Sequence, residues 1–262
     1  MQQVQRPIRL IVGSQDTIVA PSTTLGQYAA CDAPRQFSTI VGGSHCGFID
    51  GSIIGCDSTV LPKPEQLAKT RALLLEYFEV QLRGETAGFA RVWGDAPALA
   101  GTTLDRDPRL AATIVDPTLE GVVGETLETA IVVTNAGPDA TEVLARTEPG
   151  ALAATFEPET TPTLAAGASA TIFLRIEAKA PGSATLPIEL VRVRDGAGRA
   201  ASVTATFAAP RQPADLDGNG TVDATDLATL LAAWGSCACA ADIDASGEVD
   251  AIDLAMLLAA WS

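Results

Sequence analysis

The chain is short of positive charge. Seventeen Lys and Arg stand against 32 Asp and Glu in 262 residues, for a net charge of −15 and a pI near 4.3. A surface of that sign repels a phosphate backbone, so nucleic acid is excluded as a partner. Histidine occurs once, at His45, and any imidazole chemistry has that single address. Aromatic residues make up only 5% of the chain, and the middle hundred or so residues offer no aromatic platform on which a sugar could stack. No stretch approaches the roughly 18 apolar residues of a membrane span. The opening Met1-Gln-Gln-Val-Gln-Arg-Pro-Ile-Arg9 lacks the apolar core of a secretory leader, so export has to be argued from elsewhere in the chain.

What the chain does have is a duplicated motif at its far end. Asp215–Trp234 aligns without a gap onto Asp242–Trp261, an offset of 27 residues with 14 of 20 positions identical. Oxygen-bearing side chains fall at loop positions 1, 3, 5, 7, 9 and 12: Asp215, Asp217, Asn219, Thr221, Asp223 and Asp226, then Asp242, Asp244, Ser246, Glu248, Asp250 and Asp253. Gly220 and Gly247 hold position 6, where a chain wrapping a cation must turn sharply, and Val222 and Val249 hold the apolar position 8. Ligands that are all hard oxygens select calcium, one ion per loop and two in all. Position 12 is Asp where most EF-hands have a bidentate Glu, so the backbone has to sit closer to the ion.

Residues 213–262 hold eight Asp, one Glu and no Lys or Arg. Two calcium ions would relieve four of those nine charges; without metal the carboxylates repel one another and the segment is expected to be disordered. A module of about fifty residues also buries too little core to fold unaided.

Each loop opens a helix. Leu227, Leu230, Leu231 and Trp234 lie at helical spacing, and Leu254, Leu257, Leu258 and Trp261 repeat the stripe. Neither loop has a helix leading into it. A calcium loop with only its exiting helix, in tandem over residues 214–262, resembles a type I dockerin, a small α-helical fold of two F-hands. The resemblance implies a cohesin-like protein partner contacted through loop positions 10 and 11, here Ala224 and Thr225, then Ala251 and Ile252. An alternative is that the loops are a structural clasp and calcium a folding cofactor alone.

The front of the chain is different in kind. Ile8-Arg-Leu-Ile-Val-Gly13 reads as a buried strand followed by Ser14-Gln-Asp16, and residues 37–43 as a second strand followed by Ser44-His-Cys46. Residues 64–83 are predicted to form a helix, with Pro64 in its first turn, Leu67, Leu74, Phe78 and Leu82 on one side, and Gly84 as its stop. Polar residues just past the carboxyl ends of parallel strands lie where open α/β sheets place their sites.

Val12-Gly-Ser-Gln-Asp-Thr-Ile-Val-Ala-Pro21 and Val41-Gly-Gly-Ser-His-Cys46 resemble the acid and base segments of α/β hydrolases, closest to the dienelactone-hydrolase, cutinase and polyester-hydrolase branch. The resemblance runs to about Pro108. It implies that Asp16 orients and charge-stabilises the imidazole and that His45 is the general base for a serine. The nucleophile motif G-x-S-x-G is absent, as are the earlier strands and the oxyanion-hole loop. A whole domain of this type needs roughly 200 residues. The expectation is a C-terminal fragment of a longer secreted bacterial ester hydrolase, inactive by itself because His45 has no serine to activate. The alternative is a non-enzymatic extracellular anchoring protein with a vestigial hydrolase segment.

Five cysteines leave an odd one. In the light of that resemblance, a Cys46–Cys56 bridge would staple the loop after His45; Cys237 and Cys239 could close a small ring or stay free, and Cys31 is left over. Between the two ends, Leu127, Thr129, Ile131 and Val133, then Ile172, Leu174 and Ile176, then Val203, Ala205 and Phe207 alternate with polar or small residues. Turn signals at Asn135-Ala-Gly-Pro and Asp195-Gly-Ala-Gly separate these runs at the spacing of a β-sandwich. The segment resembles the immunoglobulin-like repeats of bacterial surface proteins, whose role would be adhesion or spacing. The layout expected is therefore multidomain: a partial α/β domain with its tail over residues 1–108, an immunoglobulin-like β-sandwich over 109–210, and the calcium module over 211–262. Residues 85–108 read as a Gly- and Pro-punctuated connector, and the calcium module points to an extracellular or cell-surface protein.

Overall fold

The computed structural model describes residues 6–51, 54–57 and 60–261. Residues 1–5, part of the opening segment read for a leader, lie outside them. Two compact units result: one is the chain to Gly121 together with Glu125–Phe207, the other Val122–Gly124 with Ala208–Ser262.

The first unit opens with β1 (Ile8–Gly13), α1 (Pro21–Ala29) and β2 (Arg35–Ile40). β1 and β2 pair in parallel from Ile8↔Arg35 to Gly13↔Ile40, as a strand–helix–strand crossover requires. α2 (Lys63–Arg83) follows, with Pro64 in its first turn and Gly84 closing it in the left-handed conformation at φ 69°. The expected second strand is shorter than read, because Gly42 turns the chain at φ 76° immediately after β2.

Two expectations need correction. The buried face of α2 is Gln66, Leu73, Tyr77 and Val80, while Phe78 and Leu82 are exposed and Leu67 and Leu74 only half-buried. The helix is turned by about one residue relative to its most apolar stripe, because it packs through a polar clamp at Gln66 and an aromatic contact at Tyr77. Residues 85–108 are no loose connector either. They contain α3 (Phe89–Val92) and β3 (Thr102–Asp107), and β3 pairs antiparallel with β2, giving the order β1-β2-β3.

Eight further strands build a β-sandwich: β4 (Leu110–Ile114), β5 (Thr118–Val122), β6 (Leu127–Asn135), β7 (Val143–Arg146), β8 (Leu152–Glu157), β9 (Ser169–Ala178), β10 (Gly182–Arg192) and β11 (Gly198–Ala208). One sheet has the order β4-β6-β9-β8 and the other β5-β11-β10-β7. The alternation read from sequence points inward: Thr129, Ile131 and Val133, Ile172, Leu174 and Ile176, and Val203, Ala205 and Phe207 are all buried. Each large apolar side chain so placed contributes about 1.5–3 kcal/mol.

Sandwich and α/β segment share one core. Tyr77, Val80, Phe89, Val92 and Trp93 pack with Ala197 of the β10–β11 turn. Beside them Arg192, 1% exposed, faces Asp195 at 3.2 Å and donates to the carbonyl of Arg109 at 3.2 Å.

The second unit carries α4 (Ala224–Ala232), β12 (Gly235–Ser236), β13 (Glu248–Val249) and α5 (Ala251–Ala259), with β12 and β13 antiparallel. Its core is the duplication itself. Ala214, Val222 and Leu230 pack with Ala241, Val249 and Leu257, their equivalents 27 residues on. The predicted apolar stripe is buried only in part. Leu230 and Leu257 are fully enclosed and Leu227 and Leu254 partly so, whereas Leu231, Trp234, Leu258 and Trp261 are about half-exposed.

Candidate functional site

Each repeated loop gathers its acids in the same way. Asp215, Asp217 and Asp226 bring carboxylate oxygens within 4.8 Å of one another, and Asp242, Asp244 and Asp253 do the same. These are positions 1, 3 and 12. The loop backbone folds onto position 1: Asp215 accepts the N–H groups of Gly218 (2.8 Å), Asn219 (3.1 Å) and Gly220 (2.9 Å), and Asp242 those of Ser246 (2.9 Å) and Gly247 (2.8 Å). Gly220 and Gly247 sit at φ 90° and 96°, the left-handed turn for which position 6 was singled out.

The position-12 carboxylates are buried. Asp226 accepts the N–H of Leu216 at 2.7 Å, Asp217 at 3.1 Å and Asp223 at 2.8 Å; Asp253 accepts that of Ile243 at 2.6 Å, Asp244 at 3.2 Å and Asp250 at 2.8 Å. The N–H of Asp223 beside Asp226, and that of Asp250 beside Asp253, hold these two carboxyls below the usual aspartate range against the opposing effect of burial. Asp223 and Asp250, at position 9, are the N-caps of α4 and α5 and accept the N–H of Thr225 and Ile252, each at 2.7 Å.

The predicted amide and hydroxyl positions bond along the loop. Asn219 bonds Asp217 and Thr221 along the loop, Ser246 donates to the carbonyl of Glu248 at 3.1 Å, and Thr221 and Glu248 are exposed. Three of the predicted carboxylates thus converge in each loop. The donor set fits a hard divalent cation: carboxylates only at the centre, a tight turn around it, and no cation of the chain's own between residues 213 and 262. Ala224, Thr225, Ala251 and Ile252 are exposed in the first turn of their helices.

A second constellation lies at the carboxyl ends of β1 and β2. His45 Nδ1 stands 3.0 Å from Asp16 Oδ2, and Asp16, 6% exposed, accepts the N–H of Ile18 (3.0 Å) and Val19 (2.7 Å) on its other oxygen. The pair predicted from sequence is therefore assembled across 29 residues, with the ring more than one-third open to solvent. A neutral imidazole so placed can donate Nδ1–H to the carboxylate and keep its lone pair on Nε2.

The two turns touch through their backbones. Gln15 N–H donates to Gly43 O at 2.7 Å and Gly42 N–H to Ser14 Oγ at 2.8 Å, and a Cβ on Gly13 would lie 2.7 Å from Ser44 N. From α2, the buried Gln66 accepts the N–H of Ser44 at 3.0 Å and donates to its carbonyl at 2.8 Å, so the residue before His45 is held from both sides.

Sequence reasoning missed Gln66, which no motif marks, and Asp57. The Asp57 carboxylate accepts backbone N–H groups of both turns; burial pushes it up, but the N–H groups of Cys46, His45 and Thr17 and the Ser44 hydroxyl outweigh that and hold it below the ordinary range. Its place beside Cys56 was the available signal, since Cys46 and Cys56 are bridged. Cys237 and Cys239 are bonded to each other, and Cys31 is a buried free thiol.

No protein-family model matches the chain, and no curated protein matches it. Among solved structures it is similar to a PapD-like domain of human CEP192, at 10% identity and a TM-score of 0.31 over 41% of this chain and 92% of that one. It is also similar to WR4, a C. elegans MSP family member, at 11% identity and a TM-score of 0.28 over 37% of this chain and 97% of that one. Among the described residues, no helix is long and apolar enough to cross a membrane.

Proposed function

We propose that the chain is part of a secreted bacterial ester hydrolase that carries a calcium-dependent, dockerin-like attachment module. The observation that carries the reading is the twofold acidic triad: Asp215, Asp217 and Asp226, repeated as Asp242, Asp244 and Asp253, around position-6 glycines. Asp215 and Asp242 order the loop backbone, and Asp226 and Asp253 join the start of each loop to the start of its helix. Calcium, one ion per loop, would supply the positive charge these triads lack. Extracellular modules of this kind bind at ~0.1–1 mM, so external calcium would fill both loops. Ala224, Thr225, Ala251 and Ile252, exposed at the starts of the two helices, would meet a cohesin-like partner or other surface protein.

For the amino-terminal part, the Asp16–His45 pair at 3.0 Å supports an acid–base role. Asp16 fixes the ring, and His45 would take the proton of a serine hydroxyl attacking an ester carbonyl, with Asp16 stabilising the imidazolium that forms. That serine would stand on another segment of a longer polypeptide, since G-x-S-x-G is absent here. The same absence favours a second reading, an extracellular anchoring protein whose hydrolase segment no longer acts. In both readings these 262 residues by themselves hydrolyse no ester.

Calorimetric titration of the full chain with calcium tests the module: binding of two ions, with helical circular dichroism lost on chelation, is expected. Absence of binding at millimolar calcium would sink it. Reading the coding sequence upstream of Met1 separates the two front-end readings. An in-frame G-x-S-x-G favours the hydrolase, and a stop codon close by refutes it.

A further inference from the structure

After His45 the chain makes an excursion and returns. The Cys46–Cys56 disulfide closes that excursion covalently, and the next residue, Asp57, closes it by hydrogen bonds. Asp57 Oδ2 accepts the backbone N–H of His45 at 2.8 Å and of Thr17 at 3.2 Å, and Oδ1 accepts that of Cys46 at 3.0 Å. His45 and Cys46 belong to the turn after β2, whereas Thr17 directly follows Asp16 in the turn after β1. One carboxylate therefore spans both turns.

The other hydrogen bonds that join these turns to each other or to α2 act on earlier residues. Gln66 holds Ser44, and the Gln15–Gly43 bond joins the residues before Asp16 and before Ser44. Among the described residues, only the Asp57 contacts grip the backbone of His45 itself together with the residue after Asp16. The Nδ1···Oδ2 separation of 3.0 Å leaves little slack, because a displacement of about 1 Å at either turn would carry the pair beyond hydrogen-bonding distance.

We propose that Asp57 is a positioning residue for the Asp16–His45 pair, pinning the two turns so that the imidazole stays against its carboxylate. The inference rests on the acid–base reading above. Asp57 acts through the backbone and does not itself face the reacting atoms.

His45 is the only histidine, so the ring-nitrogen NMR signals of the labelled full chain report this site alone. In the parent chain the neutral ring is expected as the Nδ1–H tautomer. In Asp57→Asn, one acceptor oxygen becomes an NH2 facing backbone N–H groups. The ring signals should then average over both tautomers, and amide exchange at His45 and Cys46 should quicken about tenfold to hundredfold, the scale of a hydrogen bond to a charged acceptor. The amides of Ile131, Ile172 and Leu174 in the sandwich should not change. Asp57→Glu, with its carboxylate restored one methylene further out, should recover part of the parent signature.

An Asp57→Asn chain with the parent tautomer and parent exchange overturns the proposal. Should that variant also lose the sandwich amides, Asp57→Glu decides: a folded chain with a slackened His45 signature supports positioning, and an unchanged signature overturns it. A parent ring without Nδ1–H preference, indifferent to Asp16→Asn, would instead refute the acid–base reading itself.

Discussion

Replacing Arg192 by Met should do more damage than any other single change at the junction of the α/β segment and the sandwich. Arg192 and Asp195 are both shut off from water, 3.2 Å apart, and burial pushes the arginine down and the aspartate up from their ordinary values even though they face each other. The pair is thus held at a desolvation cost that its own attraction and a few hydrogen bonds offset. Methionine matches the aliphatic stem but leaves Asp195 with only the N–H of Ala197 at 3.2 Å, and takes the donor from the carbonyl of Arg109. Breaking a buried pair from one side costs about 3–5 kcal/mol.

The variant should also change how stability responds to pH. A carboxyl raised in the folded state contributes stability that is fully present below the unfolded value of 3.8 and is lost as pH rises through the folded value. Without Arg192 the folded value climbs further, so Arg192→Met should regain stability as pH falls from neutral, by up to about 1.4 kcal/mol per pH unit. The parent should show a weaker dependence. Arg192→Met/Asp195→Leu, which removes both charges, should return most of the loss at neutral pH. Urea denaturation followed by tryptophan fluorescence reads this directly, since Trp93 is buried in the adjoining core. A loss below about 1 kcal/mol, or a double variant no better than the single one, would refute the reasoning.

Three further substitutions probe the carboxy-terminal module. Ala245 sits at φ 56° where the first loop has Gly218 at φ 74°; relief of about 1–2 kcal/mol of left-handed strain, less the 0.5–1 kcal/mol entropic cost of glycine, should leave Ala245→Gly roughly 0.5–1 kcal/mol more stable. A lower melting temperature for Ala245→Gly would contradict that. Leu230→Ala, at a fully enclosed position, should cost the module about 2–5 kcal/mol, and Leu231→Ala, half-exposed, about 0.5 kcal/mol or less. Equal losses in chemical denaturation would mean that the helix packs through its whole apolar stripe.

Legibility in the sequence followed how local each decision is. The acidic triads were readable because Asp215, Asp217 and Asp226 reach one point through twelve residues of their own backbone. Asp16 and His45 were found because parallel strands carry the ends of β1 and β2 to the same edge. The sandwich strands declared themselves through alternation that a half-buried sheet enforces on Ile172, Leu174 and Ile176. The face of α2 was misread because its packing is decided by partners far along the chain: Gln66 is buried to hold Ser44, while Phe78 and Leu82 are left in water. The segment 85–108 looked like a connector because Thr102-Thr-Leu-Asp-Arg-Asp107 has no strand signature of its own; β2 offers it a free edge. Asp57 could be weighed only once the two turns were seen to lie within reach of one carboxylate.

Asp226 and Asp253 leave the module little freedom to change. Each belongs at once to the acidic centre, to the backbone of the loop's first residues and to the capping box of the helix that follows. A substitution there could not adjust affinity for an ion without also loosening the loop and unseating the helix. Apart from the partly buried Leu216 against Ile243, divergence between the two copies is instead found at exposed positions, among them Asn219 against Ser246, Thr221 against Glu248 and Thr225 against Ile252. Further variation between the loops is therefore expected first at positions 5, 7 and 11, with the twelfth residue left alone.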